Sequence, residues 1–290
     1  MTAAAKADVL LGAVAYDPKV VTIWDGFRRW FAERDFAFDY VLYSNYERQV
    51  EELLDGRIDV AWNSPLAWVR ARRAAGVRGI KVSAPVMRDS DRDLTSIVVV
   101  RADSEIATVA DLRGKVVATG AVDSPQATLL PLDRLREDGI DPSTDVTVRR
   151  FDVGVGLHGD HVGGERDAAK ALIAGEVDAA CMLAANHLVF SREGTFPGNA
   201  TRVLAETAAF DHCNMTVNDD TSTASAVERF KELLLSMDYG DAAVRPLLDL
   251  EGLKQWLPGR TELYAPLERA VDHARFYDAD GHITAADYRP

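Results

Sequence analysis

The chain has 290 residues, a formal net charge of −13, and 47% hydrophobic against 27% charged residues. That length suits two cores of ordinary size, and the acidity excludes a nucleic-acid surface, which needs clustered Lys and Arg. No run approaches the roughly 18 to 20 apolar residues of a membrane span, so no membrane insertion is expected. Residues 1–7 carry one Lys and lead straight into a short apolar run, with neither a basic n-region nor a cleavage site. The expectation is a cytoplasmic protein for the chain as it stands, or a periplasmic or cell-surface one if a signal sequence precedes it. Cys181 and Cys213 are too few for a disulfide framework and read as buried, inert thiols.

Short apolar runs alternate with helical patterns, the sign of a mostly parallel sheet covered by helices. Val9–Ala15 reads as a strand. A helix follows whose stripe is Val20, Ile23, Trp24, Phe27, Trp30 and Phe31. Then come a strand at 38–43, a helix at 47–54, a strand at 58–62, a helix from Pro65 capped by Ser64, and a strand at 80–86. Polar residues 88–93 break the series, and a strand at 96–100 restarts it. A short helix at 108–112, a strand at 115–119, a helix at 125–138, and strands at 146–151 and 178–183 around a helix at 166–174 follow. After a strand near 201–205 the chain turns through His212 and ends in helices at 224–237 and 262–275.

One similarity within the chain is informative. Leu53–Trp62 and Leu172–Cys181 share an apolar pair, a spacer, Gly, a charge, an apolar residue, Asp and a small strand. Gly56 and Gly175 fit the left-handed position after a helix. One copy in each half predicts two related lobes.

Several segments together resemble the substrate-binding components of phosphonate, phosphite and phosphate ABC transporters. They are Glu51–Trp68, Ser96–Ser104, the Asp-Leu-Arg-Gly-Lys run from Asp111 with the strand after it, and Ala168–Cys181. The resemblance covers about residues 8–215. It implies an α/β, two-lobed type II periplasmic-binding-protein-like fold, each lobe a mixed, mostly parallel sheet flanked by helices, with the ligand cleft between the lobes. It places residues 1–93 and 208–290 in the first lobe and 94–207 in the second, with hinge crossings near 88–95 and 205–213. The implied function is a solute-binding protein that closes over a small polar or anionic ligand, phosphonate-like or another organic acid, and hands it to an ABC-transporter permease.

Ligands of open α/β sheets sit outside the carboxyl ends of the strands, beside helix N-termini that favour oxyanions. That rule selects Tyr16, Tyr46, Asn63, Ser64, Ser124 and Gln126 as ligand contacts, although each Ser or Asn also fits a plain helix cap. Phosphonate binders open the corresponding helix with Ser-Thr-Ser-Gly, whereas this chain has Ser124-Pro-Gln-Ala127. Pro125 removes an N–H donor and Gln126 lengthens the side chain, which predicts a larger or mixed-polarity ligand. His158, Asp160, His161 and His212 complete the expected set, with His187 on the same side. Asp211–Asn214 adds further potential ligand atoms, but no metal is expected because no recognised zinc spacing occurs. Gly154–Gly159 matches a dinucleotide fingerprint, but the helix that should follow at once is delayed, so no cofactor is expected. The alternatives to transport are an enzyme on this fold, using the cleft His and Asp groups for acid–base chemistry on a small acid, and a ligand sensor.

Overall fold

The computed structural model describes residues 7–160 and 162–290. The elements run, in chain order, β1 (Val9–Val14), α1 (Lys19–Ala32), β2 (Phe38–Tyr43), α2 (Tyr46–Leu54), β3 (Val60–Asn63), α3 (Pro65–Arg78), β4 (Val82–Arg88), β5 (Ser96–Arg101), β6 (Val116–Thr119), α4 (Leu130–Glu137) and β7 (Thr147–Arg150). They continue as α5 (Gly163–Ile173), β8 (Ala179–Leu183), α6 (Ala184–Arg192), β9 (Thr201–Glu206), β10 (Asn214–Asn218), α7 (Ala224–Leu235), α8 (Arg245–Glu251), β11 (Trp256–Pro258) and α9 (Ala265–Ala274). Among the described residues no helix is long and apolar enough to cross a membrane.

The chain divides into two compact units. Among the described residues, unit 1 comprises 7–92, 211–262 and 279–282, and unit 2 comprises 93–160, 162–210, 263–278 and 283–290.

Unit 1 holds a six-stranded sheet in the order β11-β4-β10-β3-β1-β2. β1 pairs parallel with β2 and β3, and β10 lies antiparallel between β3 and β4, so β1 to β4 all run one way. The α1 stripe forms because its apolar residues recur every three or four positions. Val20, Ile23, Trp24, Phe27, Trp30 and Phe31 are all buried. Phe230 of α7 stacks on Phe38 with rings 6.1 Å apart and 5° from parallel, which joins α7 to the same core. α3 begins at Ser64, whose Oγ accepts the Ala67 N–H, and stops at left-handed Gly79 (φ 68°).

Unit 2 repeats the scheme with five strands in the order β7-β6-β8-β5-β9. β6 pairs parallel with β7 and β8, and β5 is inserted antiparallel between β8 and β9. The similarity within the sequence has a physical meaning here. Asp59 Oδ2 accepts the Leu10 N–H of β1 at 2.9 Å, and Asp178 Oδ2 accepts the Val116 N–H of β6 at 2.8 Å. Each Asp therefore pins the start of its own strand to the parallel neighbour. Gly56 and Gly175 make the preceding turns at φ 69° and 73°.

The C-terminal segment departs from the expected division, which put all of 208–290 in the first lobe. α9 packs on α4 instead, because Asp133, buried on α4, accepts from Arg269 Nε at 3.0 Å and lies 2.5 Å from His273 Nδ1. Buried Phe276, Tyr277 and Tyr288 continue that docking within unit 2. The expected 125–138 helix is also interrupted. Pro125–Leu129 is a π-helical turn in which the Ser124 carbonyl takes both the Thr128 and Leu129 N–H groups.

Candidate functional site

In unit 2 the carboxyl end of β6 leads into Ser124, which is buried with its Oγ accepting the Ala127 N–H at 3.1 Å. That bond satisfies a cap and leaves the hydroxyl hydrogen for another acceptor. Gln126 is 4% exposed; its Nε2 donates to the Gly159 carbonyl at 2.8 Å, and its Oε1 has no partner. The loop that carries Gly159 therefore lies on the opening turn of the helix.

Asp123 shapes that loop. Its Oδ2 accepts the N–H groups of Gly156 at 2.7 Å and His158 at 3.1 Å, while Oδ1 is buried without a partner. Burial pushes the Asp123 carboxyl above its usual range, against the opposing pull of the His158 imidazole and of the two N–H groups. Gly154, Gly156, His158 and Gly159 all adopt positive φ, from 49° at His158 to 93° at Gly156. The glycine spacing thus serves a turn that aims N–H groups at a carboxylate, which accounts for the false dinucleotide fingerprint. Fully buried His158 has its Nε2 3.3 Å from the Tyr288 hydroxyl. Asp160 is half-buried and closes a turn on the Leu157 carbonyl, and His161 lies outside the described residues.

In unit 1 the candidates separate into different environments. Asn63 is fully buried; its oxygen accepts from Gln49 at 2.8 Å and its amide donates to Thr216 at 2.9 Å. Thr216 in turn donates to Asn214, so a polar seam joins β3 to β10. Ser64 caps α3, Tyr46 is buried at the start of α2, and Tyr16 is half-buried after β1 with the Lys19 amine 5.7 Å from its ring centre.

His212 belongs to a different cluster. Its Nδ1 lies 3.1 Å from Cys213 Sγ and 3.5 Å from Asp91 Oδ1, and its N–H donates to the Asp91 carbonyl at 2.8 Å. Arg88 grips Asp91 at 2.5 and 2.9 Å, reaches Glu251 Oε1 at 3.2 Å, and stacks over Trp62 with its guanidinium 4.9 Å from the ring centre. Burial opposes the charge on Asp91, but Arg88 and His212 prevail and hold its carboxyl at about 2. His187 sits on α6 with Nε2 2.9 Å from Thr201 Oγ1, a plain structural contact.

The rule that selects Ser124 and Gln126 after their strand also picks out Asp123, but the sequence shows neither its buried charge nor the link between Asp91 and His212. Asp123 sits beside Ser124 and two positions before Pro125, a place where an acid looks like an ordinary cap. Asp91 is 121 positions away from His212, so only the strand pairing brings the two together.

Two mixed sheets, each with one strand inserted antiparallel and with helices opening at the carboxyl ends of the parallel strands, define the type II periplasmic-binding-protein fold. A family model described as ABC transporter, phosphonate, periplasmic substrate-binding protein matches residues 13–264, and the chain belongs to that family. Among solved structures, PhnD1 from Prochlorococcus marinus in complex with methylphosphonate aligns with a TM-score of 0.65 at 15% identity, over 91% of this chain and 97% of that one. XAC2383 from Xanthomonas citri, bound to chloride, aligns at 0.69 with 21% identity, over 91% and 99%. An uncharacterised Haemophilus influenzae protein is 27% identical over 118 residues, 41% of this chain and 84% of the relative. The first two likenesses concern the fold; solute binding follows from the family. Proteins of this family are periplasmic.

Proposed function

We propose that this solute-binding protein takes a small organic acid that also carries a hydrogen-bond donor, such as an ammonium or hydroxyl group, and delivers it to an ABC-transporter permease. The observation that carries the reading is the chemistry of the Ser124 turn. Its two unpartnered buried side-chain atoms, Asp123 Oδ1 and Gln126 Oε1, are both acceptors. A bare phosphonate offers mostly acceptors of its own, and beside the Asp123 carboxylate it meets like charge. An acid with a donor answers both needs: its oxyanion takes the Ser124 hydroxyl hydrogen, and its donor satisfies Asp123 or Gln126.

In unit 2 we assign ligand contact to Ser124, Gln126, His158 and Asp160. Asn63 and His212 are left out of the set: the first is fully buried in the seam between β3 and β10, and the second belongs to the Asp91 cluster. The loop 154–160 must shift to admit ligand to the turn, since Gly159 rests on Gln126.

The test is calorimetric titration with methylphosphonate and with an ω-aminoalkylphosphonate. The amino-bearing ligand should bind at least about tenfold more tightly, equivalent to one charge-assisted hydrogen bond. Asp123→Asn should abolish most of that preference. Equal affinity for both ligands, or tighter binding of methylphosphonate, would overturn the reading.

A further inference from the structure

The side chains of Asp91, His212 and Cys213 offer a carboxylate oxygen, an imidazole nitrogen and a thiol sulfur, all within 4.8 Å of one another and all buried. We propose that these three groups form a binding site for a divalent transition metal of the zinc type, separate from the solute site.

Geometry is the first support. Tetrahedral ligands at zinc's usual N, O and S distances stand about 3.3 to 3.6 Å apart. The Nδ1 to Oδ1 separation of 3.5 Å lies within that spacing, and the Nδ1 to Sγ separation of 3.1 Å falls below it by less than the side chains need to move on binding. The remaining edge closes with a side-chain adjustment of about 1 Å or less. A sulfur, nitrogen and oxygen set suits a borderline-soft ion and excludes magnesium or calcium, which take oxygen. Three protein ligands leave a fourth position for water.

Charge is the second support. The group that opposes a cation here is Arg88, and it is already flanked by Asp91 and Glu251. With Cys213 as thiolate, three negative charges (Asp91, Glu251, Cys213) face one positive charge (Arg88), and a divalent ion restores neutrality. Arg88 then acts as an outer partner that fixes the Asp91 carboxylate, as hydrogen-bonded carboxylates around metals commonly are. Binding releases the Cys213 proton to solvent, so affinity rises with pH.

The location gives the ion a mechanical consequence. Asp91 is the last residue but one before the chain leaves unit 1 at Arg92, and His212 is the second after its return at Asp211. An ion held by both fastens the outgoing segment to the returning one inside unit 1, adding to the backbone hydrogen bond from His212 to Asp91.

The test is cobalt titration of the untagged, metal-stripped chain. One equivalent of cobalt should produce a thiolate-to-cobalt charge-transfer band, and one equivalent of zinc should displace it. Cys213→Ser should remove the band and weaken zinc binding more than about 100-fold, the loss of an inner ligand exceeding that of an outer one. Cys181→Ser is the control and should leave the band intact, since burial pushes that thiol up to about 12. Absence of the band in the unmodified chain would overturn the site whether or not the variants fold. So would a band that persists in Cys213→Ser or vanishes in Cys181→Ser.

Discussion

The side-chain amide of Gln126 donates to the backbone carbonyl of Gly159 at 2.8 Å, so that a left-handed glycine rests on the first turn of the helix after Ser124. A Cβ at Gly159 would run into Ser124 Oγ and the Gln126 amide. Gly159→Ala should therefore lower stability by about 1–3 kcal/mol, combining left-handed strain with displaced neighbours. Gly114→Ala, at φ 75° with nothing near its Cβ, should cost only the backbone part. Urea titration of both variants measures the difference, and equal midpoints would mean that the loop is not seated on the turn.

Asp91 predicts an acid limb. Its carboxyl is held at about 2 when folded and returns to near 4 when unfolded. The associated stability, about 2 kcal/mol, is present in full above about pH 4 and is lost as pH falls toward 2. Asp91→Asn should flatten that limb and cost about 2–4 kcal/mol at neutral pH, because the partly buried Arg88 then keeps only Glu251 as a charge partner. Thermal melts between pH 2 and 7 give both quantities. An unchanged acid limb in the variant would assign it to other carboxylates.

Asp123 has the opposite sign. Burial raises its folded carboxyl above the unfolded value, so the unfolded chain ionises first and stability falls as pH rises through that interval. Asp123→Asn can still accept the Gly156 and His158 N–H groups. It should remove this fall and cost less at pH 7 than at pH 3. A larger cost at pH 7 would show that the charged form is the stabilised one.

Asp133 ties α9 to α4 through Arg269 and His273. Both partners are roughly half exposed (45% and 48%), so solvent screens the pair and Asp133→Ala should cost only about 1–2 kcal/mol. The local effect should be larger than the global one, with faster proteolytic cleavage near α9. Unaltered cleavage would place the docking energy in Phe276, Tyr277 and Tyr288 instead.

Much of this architecture was legible because burial leaves a period. The α1 stripe and the Asp-bearing repeat at 53–62 and 172–181 are readable in the sequence alone, and the repeat points to two units. β10 was hidden for a definite reason. Asn214, Thr216 and Asn218 alternate with Met215 and Val217, yet all five are buried, because the polar face meets Asn63 and the Leu53 carbonyl. A strand that is half Asn and Thr reads as a loop. The helix α6 and strand β11 were missed as well; the former follows β8 without a break or an N-cap side chain. At the site, the Ser124 turn was found by its place after a strand. The charge environment was not, since whether Asp123 is solvated or buried depends on a loop more than thirty positions further on.

β10 also governs the order in which the chain can assemble. Among the described residues it is the only link between β3 and β4 in the sheet, and it follows them by more than a hundred residues. During synthesis β1, β2 and β3 emerge early, but β4 cannot join them until residue 218 has left the ribosome. All five strands of unit 2 are complete by residue 206. The sheet of the unit begun first is therefore the second to close, and the hydrogen-bonding edges of β3 and β4 wait unpaired in the meantime. Unpaired edges of that kind invite aggregation, which makes the nascent chain most exposed to a chaperone between residues 88 and 214.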